Sequence, residues 1–489
     1  MEMDRSKCTL ERGVLESRVI MDEFMDVRPA KFRKPKERSF EMKNKLVLAC
    51  ILSTLAGTAS LAVAAGLKVN EQGAKAMAMG NAFTAQADDP SALFYNPAGI
   101  AFLKGSQVNL GSTTIYVPST EFNGTAPLSG NAPLGVGSTS ISEKAKNDIF
   151  IAPAFYATHS FEGMPISVGL AVNAIYPLAK SWDDSSAFRA EIMNIAVKPI
   201  NFQPTVAYRI DDWNLSVAAG LDITHAIVTL QRMAYSPDAS VPNSAYELGS
   251  MGLDGTATDV GYNVGLKWKP VPSISFGAAY RSEIDLKIKG DANFLATTPA
   301  GFNILGMTTG ATSPYSRTRA SSTVSTTIVL PASLGLGVAW QPTEKLTLEV
   351  DGEWTGWSSM KKLEFQFDGP QFANFNNKPK PLNWQDVWCY KVGGQYALTK
   401  NLDLRAGYMF DKNPVPDSTL GPVLPDADRH SFSIGQGIHN DQYSLDLAYM
   451  WTHFVDRTVS NQNMAEMTGA NGTYKSDVHL FGGSITVKF

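Results

Sequence analysis

The side chains in this sequence that could act together chemically are charged, and they recur at every second position. Arg281, Glu283 and Asp285 form one run, Glu349, Asp351 and Glu353 a second, and Asp403 with Arg405 a third; Lys391 stands between the last two. A spacing of two puts each run on one face of an extended strand. Mixed signs on neighbouring strands point to a ladder of ion pairs, and the alternative for any one of them is a hydrated wall charge. Neither is catalysis. Six histidines, His159, His225, His430, His439, His453 and His479, are scattered without metal-ligand spacing. Gly335-x-Gly337 lies in a strand-like stretch and opens no helix, so it is not a nucleotide loop. Hydrolase chemistry would need a serine–histidine pair with an orienting side chain, and no residues nominate one. These residue types imply no catalytic site, no metal and no cofactor.

The elements that carry the charges alternate strictly. Val260, Tyr262, Val264, Leu266 and Trp268 oppose Asp259, Asn263, Lys267 and Lys269. Leu346, Leu348, Val350 and Trp354 oppose Thr347, Glu349, Asp351 and Glu353. The same pattern predicts one strand over 273–289, with Phe276, Tyr280, Ile284 and Ile288 on a single apolar face, and another over 321–341, running from Val324 to Trp340. Fourteen such strands fit between residues 106 and 489. Their connections alternate between short ones, such as Asp211–Trp213, Val271-Pro272 and Asn440-Asp441, and long ones. A soluble sandwich also alternates. Strictly alternating short and long connections with an even strand count instead predict an all-β, antiparallel transmembrane barrel of the bacterial outer membrane. Trp268, Trp340, Tyr396 and Tyr443 beside the short turns, and Trp354, Trp388, Phe410 and Trp451 further up, fit two aromatic belts. The chain ends on Phe489, sharing a face with Phe481, Ile485 and Val487, which resembles a signal to the outer-membrane assembly machinery.

The N-terminal part reads differently. Residues 1–41 are charge-dense and read as an extension or an upstream mis-annotated start. Met42-Lys43-Asn44-Lys45, the apolar stretch from Leu46 and Ala62-Val63-Ala64 read as a signal peptide over 42–64. Removal of residues 1–64 would take away Cys8 and Cys50, leaving Cys389 alone and no disulfide. Those residues hold 12 Lys+Arg and 9 Asp+Glu of the chain's 42 and 46, so residues 65–489 carry 30 and 37, a net charge of −7. That balance offers no basic patch for nucleic acid. Fourteen strands also enclose more space than side chains fill, since roughly eight is the filled limit. Residues 65–105 have neither strand alternation nor a useful helix and break at Gly80, Asp88-Asp89-Pro90 and Asn96-Pro97. They are the piece available to plug the lumen.

Within that stretch Glu71-Gln72-Gly73, Gly80-Asn81-Ala82, Asp88-Asp89-Pro90-Ser91-Ala92 and Asn96-Pro97-Ala98-Gly99 stand in order. This ordered set resembles the N-terminal hatch of the FadL/TodX family, outer-membrane channels for long-chain fatty acids and aromatic hydrocarbons. The resemblance implies that 65–105 is a hatch, 106–489 the barrel, and Asn96, Pro97 and Ala98 the hatch motif. Arg232 ends a strand at the outer side with inward parity, and the family places a basic residue near there against the substrate carboxylate. Two outer loops of relatives form a hydrophobic capture groove. Here they correspond to 183–195, where Phe188, Ile192 and Ile195 share a face of an expected amphipathic helix, and to 231–256, with Met233, Tyr235 and Tyr246. Relatives also carry a kink in the third strand that opens the wall, and Pro153, Pro199 and Pro204 put pairing defects beside the expected strand 165–177.

The expected function is passive uptake of hydrophobic compounds. Long-chain fatty acids come first and aromatic hydrocarbons are the alternative cargo. Ligand would be captured at the outer loops, held in an interior pocket and released as the hatch shifts, with possible lateral exit into outer-membrane lipid. A phospholipase-type enzyme of the outer membrane would need the missing serine–histidine pair. A nonspecific porin would need an open lumen.

Overall fold

The computed structural model describes residues 68–128, 139–146, 148–237, 245–296, 318–464 and 466–489. The expected extension 1–41, the signal peptide 42–64 and residues 65–67 lie outside the described residues, as do Cys8 and Cys50. Antiparallel strands pair in chain order and close on themselves, so that fourteen staves make a barrel. They are β1 (Ser106–Thr125), β2 (Asp148–Ser160), β3 (Ile166–Asn173, resuming at Leu178–Ser181), β4 (Asn194–Ile210) and β5 (Leu215–Pro237). Next come β6 (Ala245–Val271), β7 (Ile274–Arg281, then Ile284–Ala296), β8 (Thr318–Leu330, then Ser333–Thr343) and β9 (Leu346–Thr355). The last are β10 (Val387–Thr399), β11 (Leu402–Asp411), β12 (Arg429–His439), β13 (Tyr443–Phe454) and β14 (Asn471–Lys488). Pairing of Gln107 with Lys488 and onward to Thr125 with Asn471 seals β1 to β14.

In the half nearer the short turns, apolar side chains point outward. Val260, Val350 and Ile434 are 59%, 57% and 62% exposed, while the intervening positions are buried. Trp268, Trp340, Tyr396 and Tyr443 ring the short-turn end of this band, and Trp388 and Trp451 stand on its far side. Such an outward apolar band with a polar interior is what lipid selects.

The other half reverses the arrangement. On β7 the outward positions near the loops are Asp285, Lys287 and Lys289, while Ile284, Leu286 and Ile288 face in and are at most 5% exposed. Two irregularities at one height make the switch. β7 breaks at Ser282–Glu283 and β8 at Pro331–Ala332, between the rung Arg281–Ser333 and the rung Ile284–Leu330. Each strand takes three positions, an odd step, from one inward residue to the next, and so exchanges its faces beyond the break. The expected single apolar faces of 273–289 and 321–341 are therefore each two faces on opposite sides of the wall. Polar Ser282 anchors the break: its backbone N–H donates to Tyr262 O at 2.8 Å, and its Oγ accepts from Tyr262 N at 2.9 Å.

The expected third strand 165–177 is likewise interrupted. It stops at Asn173, and β2 pairs with β3 only from Phe155–Val172 to Ser160–Ser167. Among the described residues no rung joins β2 above Phe155 to β3. Pro153 lies in that stretch, where a missing N–H costs no ladder bond.

Candidate functional site

The segment Lys68–Leu103 lies against the inward faces of the staves and is almost wholly buried. It contains two helical turns, α1 (Ala74–Ala78) and α2 (Ala92–Tyr95), and a 3-10 turn at Pro97–Phe102. Asn96 is extended, the conformation that a following proline favours, and Pro97 supplies the first position of the turn. The Asn96 side chain ties three strands of chain together. Its Oδ1 accepts from Ala98 N at 3.2 Å, and its Nδ2 donates to Thr84 O at 2.8 Å and to Leu266 O of β6 at 2.9 Å. Ser216 Oγ of β5 donates to Ala98 O at 2.8 Å. Asn96, Pro97 and Ala98 thus sit where the inner segment meets the wall.

The inward charges of β9 grip the same segment by its backbone. Phe83 N and Thr84 N both donate to Asp351 Oδ2 at 2.9 Å. Ala85 N donates to Glu349 Oε1 at 2.6 Å and Gln86 N to Glu349 Oε2 at 2.9 Å. Two carboxylates two residues apart therefore hold four consecutive amides. Lys267 of β6 answers from the other side by donating to Gln86 O and Ala87 O. The approach is close enough that the wall must lack side chains. A Cβ at Gly277 would lie 2.0 Å from Thr84 O, and one at Gly407 2.0 Å from Gly80 N. Asp89, in the turn before α2, takes hydrogen bonds from Ser91 N and Oγ at 2.7 and 2.6 Å. Burial pushes its carboxyl up to about 6, against the pull of Lys75.

Other charges pair along the wall. Glu353 bridges Lys391, at 2.5 Å, and Lys68 of the inner segment. Arg405 pairs with Asp446 at 2.6 Å and Asp403 at 3.1 Å. Arg281 pairs with Asp222. Glu283 and Asp285 do not belong to this interior set. They are exposed on the outward face because β7 changes sides at Ser282–Glu283. Asp222, Asp446, Lys267, Lys68 and the buried pair Arg429–Asp411 join the set; inward parity with Ser216 and Thr224 marks Asp222 in the sequence, whereas Lys68 carries no periodic signal.

Between the loops, a cavity of about 250 Å3 is walled by Leu230, Met251, Leu253, Phe365, Phe367 and Trp384, among others. The Arg232 side chain lines it, with Lys378, Lys380 and Glu191. Arg232 is half-buried, its guanidinium touches Met251 Sδ at 4.0 Å, and no described carboxylate is bonded to it. The other four expected ligand residues are elsewhere. Residues 183–193 form turns, not the expected amphipathic helix. A span this short gains too few backbone bonds to offset helix nucleation, and its apolar side chains are drawn into the loop core. Phe188 and Ile192 are 2% and 0% exposed, with Phe188 against Phe122, Trp182 and Tyr474. Tyr235 Oη accepts from Arg189 Nε at 2.7 Å, and Met233 N donates to Arg189 O at 2.7 Å; both belong to the loop scaffold. The side chain of Tyr246 lies outside the described residues.

A closed barrel with a lipid-facing band, a charged interior and an apolar chamber under its long loops defines an integral transport barrel of the outer membrane. Residues 55–489 match the family described as outer membrane protein transport protein (OMPP1/FadL/TodX), and the chain belongs to that family. It is 24% identical to the long-chain fatty acid transport protein of Escherichia coli O6:H1, over 80% of this chain and 87% of that protein. The fold is shared with a Pseudomonas aeruginosa FadL homologue, at a TM-score of 0.74 and 24% identity over 87% of this chain and all of that one. It is shared too with the Pseudomonas putida toluene transporter TodX, at a TM-score of 0.63 and 16% identity over 87% of this chain and all of that one.

Proposed function

We propose that this outer-membrane transport protein is a passive channel for hydrophobic compounds, with long-chain fatty acids as its principal cargo. The observation that carries the choice is the half-buried Arg232 guanidinium, without a bonded carboxylate among the described residues, in a cavity walled mainly by apolar side chains. An unpaired cation is costly in such surroundings, and the head of a fatty acid supplies the missing anion while its tail fills the apolar wall. Aromatic hydrocarbons are the second reading, supported by the shared fold with a toluene transporter. In this scheme Lys68–Leu103 acts as the hatch. The Glu349–Asp351 grip and the Asn96 tie set its closed position, and transport requires part of that grip to be released.

Exit is lateral, through the wall between β2 above Phe155 and the interrupted β3. Val69 N donates to Ile175 O at 2.8 Å and Gln72 Nε2 to Ala174 O at 2.7 Å, so the start of the hatch is bonded to the interruption itself. Water as the exit would expose the tail at ~0.8 kcal/mol per methylene, roughly 12 kcal/mol for fifteen of them, whereas lipid receives it without that penalty. The scheme needs no cofactor and no catalytic residue. Export through the 42–64 signal and handling of the Phe489 strand by the assembly machinery complete the reading. Arg232→Ala should slow uptake of oleate by about tenfold or more and leave toluene uptake unchanged, the loss of one charge-assisted pair being worth about 1.5–3 kcal/mol. Equal losses for both cargoes in an assembled barrel would remove the carboxylate reading.

A further inference from the structure

The outer cavity has one acidic side chain among its described lining residues, Glu191. It comes from the turns at 183–193, and its Oε2 sits 2.5 Å from Lys380 Nζ, on the short ribbon Lys380–Pro381 of a different loop. The residue is 8% exposed, and its Oε1 is buried without a hydrogen-bond partner. Gly421 backs it so closely that a Cβ there would stand 2.9 Å from Oε1. Arg232 lines the same cavity and feels the field of Glu191 without bonding to it. A buried carboxylate with one bare oxygen, bonded to one of the three cations that line the cavity (Lys380) while Arg232 and Lys378 have no bonded carboxylate among the described residues, is an incompletely satisfied arrangement.

Resting on the reading of this cavity as a ligand site, we propose that Glu191 is a displaceable internal counter-ion, standing where a ligand carboxylate goes. In the empty cavity it neutralises Lys380 and straps the 183–193 turns to the 380–381 ribbon. An entering anionic amphiphile offers Lys380 and Arg232 a second carboxylate. Exchange of one carboxylate for another at Lys380 leaves the number of paired charges unchanged, and Glu191 leaves with its loop toward the mouth. A neutral amphiphile has nothing to exchange, so the strap stays closed. Glu191 therefore sets the threshold between anionic and neutral ligands.

The test measures equilibrium binding of oleate and of oleyl alcohol, equal in chain length, to the full purified protein in lipid nanodiscs. Glu191→Gln removes the competitor and should tighten oleate binding about tenfold, and oleyl alcohol binding, which gains only from the opened strap, by much less; Glu191→Asp, which keeps the charge, should stay near wild type. Lys380→Gln should weaken oleate more than oleyl alcohol, which keeps the test available if the Glu191 variants fail to assemble. Wild-type protein that binds both ligands alike would overturn the reading of the cavity as a carboxylate site. Wild-type protein that prefers oleate, with Glu191→Gln no tighter than wild type, would overturn the counter-ion alone.

Discussion

Between Leu334 and Trp340, β8 shows its apolar side chains to lipid; between Val324 and Leu330 the same strand hides them inside. The two halves of the barrel obey one rule with opposite results, because the medium outside differs. Lipid against the short-turn half draws apolar residues out and leaves the interior to charges. Those charges grip the inner segment. Water around the long-loop half keeps Lys287, Lys289 and Thr327 outside and gathers Ile288, Leu330, Trp357 and Trp384 within, where an apolar chamber becomes possible. β5 makes the same change without a break. Its inward positions run from Ser216, Asp222 and Thr224 to Ala226, Val228 and Leu230. Polarity inside the lower half holds the inner segment 68–103 to the wall, and apolarity inside the upper half lines the cavity proposed as the ligand site.

The largest effect should come from breaking the lower half's grip. Glu349→Gln with Asp351→Asn removes the charge from four amide hydrogen bonds. Each charge-assisted bond is worth about 1.5–3 kcal/mol, so even with heavy overlap several kcal/mol of hatch seating should go. Ion conductance in planar bilayers should rise, protease should reach 68–103, and the barrel should still run as a folded species on gels. Wild-type conductance from the double variant would mean the amide grip does not hold the hatch.

A smaller effect is expected at the junction. Asn96→Ala removes the donor shared by Thr84 O and Leu266 O and the acceptor for Ala98 N. Each carbonyl left bare inside costs about 1–3 kcal/mol. Ligand binding to whole cells should be retained while the uptake rate in the same cells changes, since the proposed capture site lies in the upper half. Uptake at the wild-type level in an assembled variant would make the Asn96 tie structural only.

Much of the barrel was legible because period two and punctuating turns act locally. The strand Leu346–Thr355 falls where the alternation of Leu346, Leu348, Val350 and Trp354 puts it, and Asp211–Trp213 is a turn as its spacing requires. What escaped is non-local. Tyr280 and Ile284 keep even spacing across the break at Ser282, so the apolar rhythm continues unbroken in the sequence while the wall changes side between them. Glu349 and Asp351 announce an inward face, yet their partners are backbone amides, which have no signature in side-chain pattern. Lys380 and Glu191 come from separate loops with no period at all. The helix expected from Phe188 and Ile192 failed for a related reason: a shared apolar face predicts burial as readily as exposure to a ligand, and Trp182, Phe122 and Tyr474 were close enough to claim it.

The smallest effect sharpens the boundary between the halves. Glu283 lies one residue past Ser282, exposed on the outward face, whereas Asp222 faces in and holds Arg281. Were the alternation of β7 continuous, Glu283 would share the lumen with Arg281 and its removal would leave a buried cation poorer by one partner. With the face reversed, Glu283→Gln removes a hydrated surface charge, and such changes stay within about 0.5 kcal/mol. Its denaturation midpoint and oleate uptake should match wild type. Asp222→Asn, removing the partner of a buried guanidinium, should cost about 3–5 kcal/mol in the same assay. A Glu283→Gln variant that loses stability on the scale of Asp222→Asn would place Glu283 in the lumen and move the change of faces further along β7, toward Ile288.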